Sequence, residues 1–389
     1  MLQKDSLKTI LLDAGFDQVA CVAAKDVPNI SDNLTKWLEA GYHGDLAWMS
    51  RNADKRASAK NLMPNLGTVF MLGLNYGPDA DPLYILKHPK RAAISVYAQN
   101  EDYHDVMKKR LKSVARLLRD KYEIEAKIFV DTAPLHEKSL AQKAGLGWQG
   151  KHSNIVSRSY GSWLFLGAML ITHEFPSDKP EIDHCGSCQK CMVACPTDAF
   201  PKPYVLDARK CVSYLTIEYK GMLPRDLARK MHNMIYGCDI CLSVCPWNKF
   251  ATLSSEAAFH AREIANNPPL SELLSLDDAQ FRSLFRKSPI KRIKRESFIR
   301  NVLNAAGNSR SHDLIKFIIP LLTDDSAIVR ATAYRAIFDI SGWAVLEDYA
   351  EYYNDKNDSV MQEIEALRKE YMESQGKKTH LTEPVYDIA

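Results

Sequence analysis

The chain has 389 residues, 46% of them hydrophobic and 25% charged, with a net charge of only +3. That composition is ordinary for a globular protein of two or three domains. No run of about 18 apolar residues occurs, which argues against a membrane-spanning helix, and the amphipathic Met1–Ala14 lacks the apolar core and cleavage site of a signal peptide. A cytoplasmic protein is the expectation. The charge is unevenly spread: residues 282–300 hold eight Lys/Arg against Glu296, a local +7, and residues 344–389 hold eleven acids against five bases.

Taken in order, residues 1–180 read as α+β. Leu2–Ala14 is a helix ending at Gly15, Val19–Ala24 a strand, and Leu34–Ala40 a helix stopped by Gly41. Thr68–Asn75 and Ala92–Ala98 read as short apolar strands. Tyr103–Tyr122 has helical spacing with Lys and Arg on its outer face. Lys127–Asp131 is a strand that carries Asp131 to its end. Asn154–Ser157 and Ser162–Thr172 read as two strands joined by a Ser-Tyr-Gly turn. Neither a G-x-G-x-x-G after a strand nor a G-x-x-x-x-G-K-[ST] occurs, so a dinucleotide or P-loop site is unsupported. Cys21, in an apolar run, reads as a buried inert thiol.

Residues 181–250 carry the other eight of the nine cysteines. Cys185, Cys188, Cys191 and Cys195 stand at C-x2-C-x2-C-x3-C, followed by Pro196. Cys211 comes alone, and Cys238, Cys241 and Cys245 repeat C-x2-C-x3-C before Pro246. Two such runs ending in Cys-Pro are how a chain wraps two [4Fe–4S] cubanes, with the fourth cysteine of each run crossing to the other cluster. The crossing puts Cys185, Cys188, Cys191 and Cys245 on one cluster. Cys195, Cys238 and Cys241 go to the other, Cys211 standing in for a missing first cysteine. Structural zinc also uses C-x2-C pairs but gives no reason for three-cysteine runs ending in Cys-Pro. A disulfide framework does not suit a chain with no secretory signal.

Beyond residue 250 the chain reads as helical. Arg295, Arg300, Val302, Leu303 and Gly307 recur 35 residues later as Arg330, Arg335, Ile337, Phe338 and Gly342. Ile318–Arg330 has the outline of a HEAT unit, and such units stack helix pairs over a shared core. The division expected is 1–180, 181–250, 251–374 and a polar tail at 375–389.

The order of motifs resembles that of the epoxyqueuosine reductases. The matching pieces are Gly41-Tyr-His-Gly44, Asp54-Lys-Arg56, Asp102-Tyr-His-Asp-Val106, Val130-Asp-Thr132, Ala144-Gly-Leu-Gly-Trp148 with Gly150-Lys151, Tyr160-Gly-Ser162, the cysteine set, and Tyr236-Gly-Cys-Asp-Ile-Cys241. The resemblance implies an N-terminal α+β cobalamin-binding domain, a ferredoxin-like domain with two [4Fe–4S] clusters, and C-terminal all-α HEAT-like repeats that help hold tRNA. It implies reduction of the epoxide of epoxyqueuosine to the alkene of queuosine, on the wobble base of tRNAs for Tyr, His, Asn and Asp, which share a GUN anticodon. The D-x-H-x-x-G signature of a histidine-ligated cobalamin is absent, in keeping with the base-off corrin of that family.

On this reading Asp131 is the general acid: a carboxyl packed near apolar groups and a macrocycle has a raised pKa and stays protonated to donate. Arg56, Lys151 and Asn154 are candidates to hold corrin amides or the nucleotide tail, as are Ser95 and Ser213. The scattered histidines, His104 among them, read as structural or supporting. Lys291, Arg292, Lys294, Arg295 and Arg300 are the candidate RNA contacts, because their charges do not alternate with carboxylates. The partners expected are tRNA and a low-potential electron donor, with no membrane and a monomeric chain. A corrinoid reductive dehalogenase-like enzyme and a ferredoxin-type electron-transfer protein are the competing readings.

Overall fold

The computed structural model describes residues 2–262, 265–349 and 355–376. Its strands are β1 (Gln18–Ala23), β2 (Thr68–Asn75), β3 (Ala93–Ile94), β4 (Ala126–Phe129), β5 (Trp148–Gln149), β6 (Ile155–Val156), β7 (Leu164–Ile171) and β8 (Met234–Tyr236). The helices that matter to the site are α1 (Lys4–Asp13), α2 (Tyr103–Tyr122), α3 (Glu137–Ala144), α4 (Lys190–Val193), α5 (Val212–Ile217), α6 (Ile240–Ser243), α7 (Lys294–Ser309), α8 (Ala327–Glu347) and α9 (Asp358–Gly376).

β2 and β7 are apolar on both sides, and such strands must be covered twice. They occupy the centre of an antiparallel sheet in the order β1–β2–β7–β4, with Phe70 opposite Met169. Phe70, Leu72 and Leu74 pack with Leu7 and Leu11 of α1 and Met107, Leu111, Val114 and Leu118 of α2. The alternate residues Val69 and Met71 pack with Leu140, Ala141 and Ala144 of α3. Helices thus cover both faces, and Cys21 lies fully buried in β1, where burial pushes its thiol up to about 11 and keeps it unreactive.

Two expectations are corrected. The 154–172 stretch does not form a hairpin: β6 pairs with β5, β7 pairs with β2 and β4, and the Ser-Tyr-Gly turn keeps only a bridge between Ser157 and Gly161. β7 is too apolar to serve at an edge, so the sheet interior takes it. The Ala92–Ala98 strand shrinks to β3, which pairs in parallel with β8 from the cysteine-rich segment.

That pairing joins the regions. Ala92 and Ile94 share one core with Ile235 and Tyr236 and with Phe298, Val302 and Ile337 of the helical region. There α7 packs on α8 and α8 on α9. The arginines repeated at 35 residues occupy matching roles. Arg295 pairs with Asp324 at 2.7 Å and Arg330 with Asp355 at 2.6 Å. Arg300 donates to the backbone oxygens of Leu215, Tyr219 and Gly221, and Arg335 to that of Leu223. The repeat therefore staples its helices to the 215–223 stretch just after Cys211.

Candidate active site

The cysteines fall into two tetrads. Burial raises the Cys191 thiol to about 11, and the thiols that raise it further are Cys185, Cys245 and Cys188. Burial likewise raises Cys238, with Cys211 and Cys195 as its thiol neighbours, and Cys241, with Cys238, Cys211 and Cys195 ahead of Cys191 of the first group. Cys245 thus belongs with the first run and Cys195 with the second, which is the crossing described above. The one-turn helices α4 and α6, which carry Cys191 and Cys241, pack against each other.

Each tetrad presents hydrogen-bond donors, as a cluster requires of its surroundings. The N–H groups of Ser213 and Tyr214, in the first turn of α5, face Cys211, and that of Ile240 faces Cys238. The indole N–H of Trp148 is buried without an acceptor of its own and lies at Cys185; the Ser162 hydroxyl lies at Cys245. Gly161, at φ +57°, brings Ser162 there, since a Cβ would collide with Asn248. Lys151 is buried and donates to the carbonyls of Gly186 and Cys188, at 2.7 and 2.9 Å. It therefore clamps the first cysteine loop, which corrects its expected place against a corrin. Four thiols per group with matching donors suit two iron–sulfur cubanes.

Asp131 lies two residues past β4 in a left-handed conformation, φ +53°, which Asp tolerates better than most residues. Its side chain is 57% exposed. Around it the first turns of two helices converge. Tyr103 of α2 donates to its carboxylate at 3.1 Å, and His104 Nε2 stands 3.4 Å from the same oxygen. His104 Nδ1 is 2.6 Å from Asp102, the residue that caps α2. From α3, Glu137 accepts the Asp131 backbone N–H at 2.9 Å.

The expected upward shift of Asp131 is reversed. Desolvation pushes its carboxyl up, but hydrogen bonding and charge from His104, helped by Tyr103 and Lys138, outweigh this and hold it below the ordinary value. The protons sit on its neighbours. Desolvation opposes the His104 charge, yet Asp102 and Asp131 raise it to about 9; burial, then the Asp131 charge, raises Glu137 to about 8. Lys138, whose ammonium burial disfavours, donates to Asn154 at 2.7 Å and feels the charges of Asp131, Cys241 and Cys211. It thus links the Asp131 cleft to the second tetrad.

The remaining expected positions divide. Arg56 is buried beside Trp48, reaches Ala133 O at 3.4 Å, lies within the field of Asp131 and keeps an unpartnered Nε. Ser95 is spent on Asp239 at 2.6 Å, pressed there by the close approach of Gly237, and is corrected as a corrin contact. Of the RNA candidates, Arg300 is fully buried and Arg295 bonds Leu276 O and Asp324; Arg292 pairs with Glu218. Lys291 and Lys294 stay exposed. Carboxylates from other segments pair Arg292 and Arg295 and backbone carbonyls take Arg300, so the assignment is corrected for the inward-turned Arg295 and Arg300, while Arg292 stays at the surface. The sequence reading also passed over Tyr103, Glu137 and Lys138, and the place of His104, around Asp131. The Asp102–Val106 motif held two of them, and the other two open the helix that follows Asp131.

Fold and site together define an iron–sulfur oxidoreductase with a cleft of titratable side chains around Asp131. Residues 184–248 match the family described as a 4Fe-4S double cluster binding domain, and residues 56–132 match epoxyqueuosine reductase QueG, DUF1730. The epoxyqueuosine reductase of Vibrio cholerae is 41% identical over 307 residues, 78% of this chain and 83% of that one. A crystal structure of epoxyqueuosine reductase with an epoxyqueuosine-modified tRNA-Tyr stem loop superposes with TM-score 0.85 at 27% identity, over 94% of this chain and 98% of that one. A Bacillus subtilis epoxyqueuosine reductase with its catalytic aspartate loop swung out of the active site gives 0.83, with the same identity and coverage. The chain belongs to the epoxyqueuosine reductase family.

Proposed function

We propose that the chain reduces epoxyqueuosine to queuosine at the wobble position of tRNAs for Tyr, His, Asn and Asp, with cobalamin bound base-off beside Asp131. The observation that carries this is the placement of Lys138 within the field of both the Asp131 carboxylate and the Cys211 and Cys241 thiols. A substrate in the cleft is then in reach of a proton on one side and of cluster electrons on the other. The relative solved with a modified tRNA stem loop supports the substrate class. Electrons from a low-potential donor enter at the Cys185 tetrad and reach the Cys195–Cys211 tetrad beside the cleft.

The reaction removes one oxygen as water and consumes two electrons and two protons. Bound cobalamin supplies the bond to carbon or oxygen that one-electron clusters cannot make. Arg56, Asn154 and Ser213 are the residues offered to its polar edge. The unpartnered, buried Nε of Arg56 supports a polar ligand at this face. Asp131 relays a proton: it takes one from His104, the imidazolium Asp102 holds in place, and passes it to the departing oxygen; Glu137 is a second store. The protein keeps the stored protons at pH 7 while leaving Asp131 free to swing to the substrate. The C-terminal repeats, HEAT-like in outline, hold the cysteine domain against the sheet.

The test is mass spectrometry of nucleosides from epoxyqueuosine-bearing tRNA incubated anaerobically with the reconstituted protein and a low-potential reductant. Queuosine formed with added cobalamin and not without it is the expected result. Queuosine formed equally in its absence would remove the corrin from the reading.

A further inference from the structure

The helix that delivers His104 to Asp131 has a second face with no role so far. Met107, Leu111, Val114 and Leu118 bury one side of α2 against the sheet. Lys108, Lys112, Arg116 and Arg119 recur on the other, with Lys109 beside them. At 3.6 residues per turn these five cations fall within about 100° of the helix circumference. Lys109, Lys112, Arg116 and Arg119 are exposed.

Most of this charge is not neutralised. Arg110 pairs with Glu256, and Arg119 with its neighbour Asp120. Among the described residues Lys109, Lys112 and Arg116 form no ion pair, and Asp105, in the first turn, is the one carboxylate on the face itself. In residues 282–300, by comparison, Arg295 and Arg300 turn inward onto protein partners and Arg292 pairs with Glu218, while Lys291 and Lys294 stay exposed. The row also begins at the cleft: Lys108 reaches Thr132 Oγ1 at 3.4 Å, one residue from Asp131. From Lys108 it runs about 16 Å along the helix, at about 1.5 Å per residue. Cations one turn apart in a line fit a polyanion rather than a single phosphate.

We propose that this face of α2 binds the phosphate backbone of the RNA strand carrying the modified base, and leads that strand into the Asp131 cleft. The inference rests on the tRNA substrate proposed above and adds where the strand lies. Turning a base out of its stack costs a few kcal/mol, and counterion release along such a row offsets it.

The experiment measures binding of epoxyqueuosine-bearing tRNA to the cluster-loaded protein across a salt series. A Lys109→Ala/Lys112→Ala/Arg116→Ala variant is compared with wild type and with Lys291→Ala/Lys294→Ala. The α2 variant should keep its iron, bind all tRNAs more weakly, and show a log–log salt slope shallower by about two units for three lost contacts on a single strand. The Lys291/Lys294 variant should keep the wild-type slope. An unchanged affinity and slope in the α2 variant overturns the proposal. So does unchanged tRNA binding with slowed cluster reduction by a protein donor, which would give the face to that donor. Because binding is read apart from turnover, a wild-type protein that binds with the steep slope but makes no queuosine would sink the proposed reaction and leave the surface standing.

Discussion

At the residue scale the proposed reaction divides labour between a carboxylate that delivers a proton and neighbours that store it. Asp131 is held ionised by His104, so an acid at this position depends on its partners. Asp131→Asn keeps the shape but cannot shuttle a proton, and turnover should fall by about 10²–10⁴ with clusters intact. Wild-type rates in that variant would remove Asp131 from the reaction. His104 sets a pH limit. Its pKa is raised to about 9, so the stored proton is present at neutral pH and lost as pH rises through that value, after Glu137 has titrated at about 8. Single-turnover rates should hold between pH 6 and about 7.5 and decline through pH 8–9.5. In His104→Gln the overall rate should drop and the alkaline limb shift; an unchanged pH profile would place the stored proton elsewhere. The Trp148 indole at Cys185 makes a separate prediction. Hydrogen bonds to cluster sulfur tune its potential, so Trp148→Phe should shift one of two EPR-detected midpoints downward and leave the other in place.

At the scale of elements, reading the sequence succeeded where one segment's own pattern decides the structure. Thr68–Asn75 and Tyr103–Tyr122 lie where their apolar spacing put them, and the cysteine runs lie in the segment that matches a double-cluster domain. It failed where the decision belongs to another part of the chain. β6 and β7 look like a hairpin until β2 and β4 compete for β7. Lys151 looks like a loop cation until the carbonyls of Gly186 and Cys188 come to it. Arg300 shows the same failure at its sharpest, because a run of positive charge in sequence says nothing about which members turn inward. The 35-residue repeat was the signal that could have exposed it: a position repeated for packing is not free for a ligand. Arg300→Ala should destabilise the protein by about 2–4 kcal/mol, since backbone carbonyls in a dry core lose their donor. Lys291→Ala should stay within about 0.5 kcal/mol, as exposed positions usually do. Denaturant midpoints check both, and equal midpoints would return Arg300 to the surface.

At the scale of the whole molecule the cysteine segment is the hinge of the design. It pairs β8 with β3 of the N-terminal region, and it receives the arginine staples of the helical region on the stretch after Cys211. The second tetrad is thereby held from both sides, with Lys138 between it and Asp131, while Trp148 and Lys151 cover the first. On the function proposed above, electrons pass in order, with the second cluster as the last stop before the substrate. The direct measurement is a single turnover of Cys211→Ala, reduced beforehand and mixed with epoxyqueuosine-bearing tRNA and cobalamin, with EPR and nucleoside mass spectrometry on the same sample. The account predicts iron falling from about eight toward about four or five per chain, the signal of the first cluster retained, and no queuosine formed. Queuosine at the wild-type yield from a protein holding only its first cluster would contradict it.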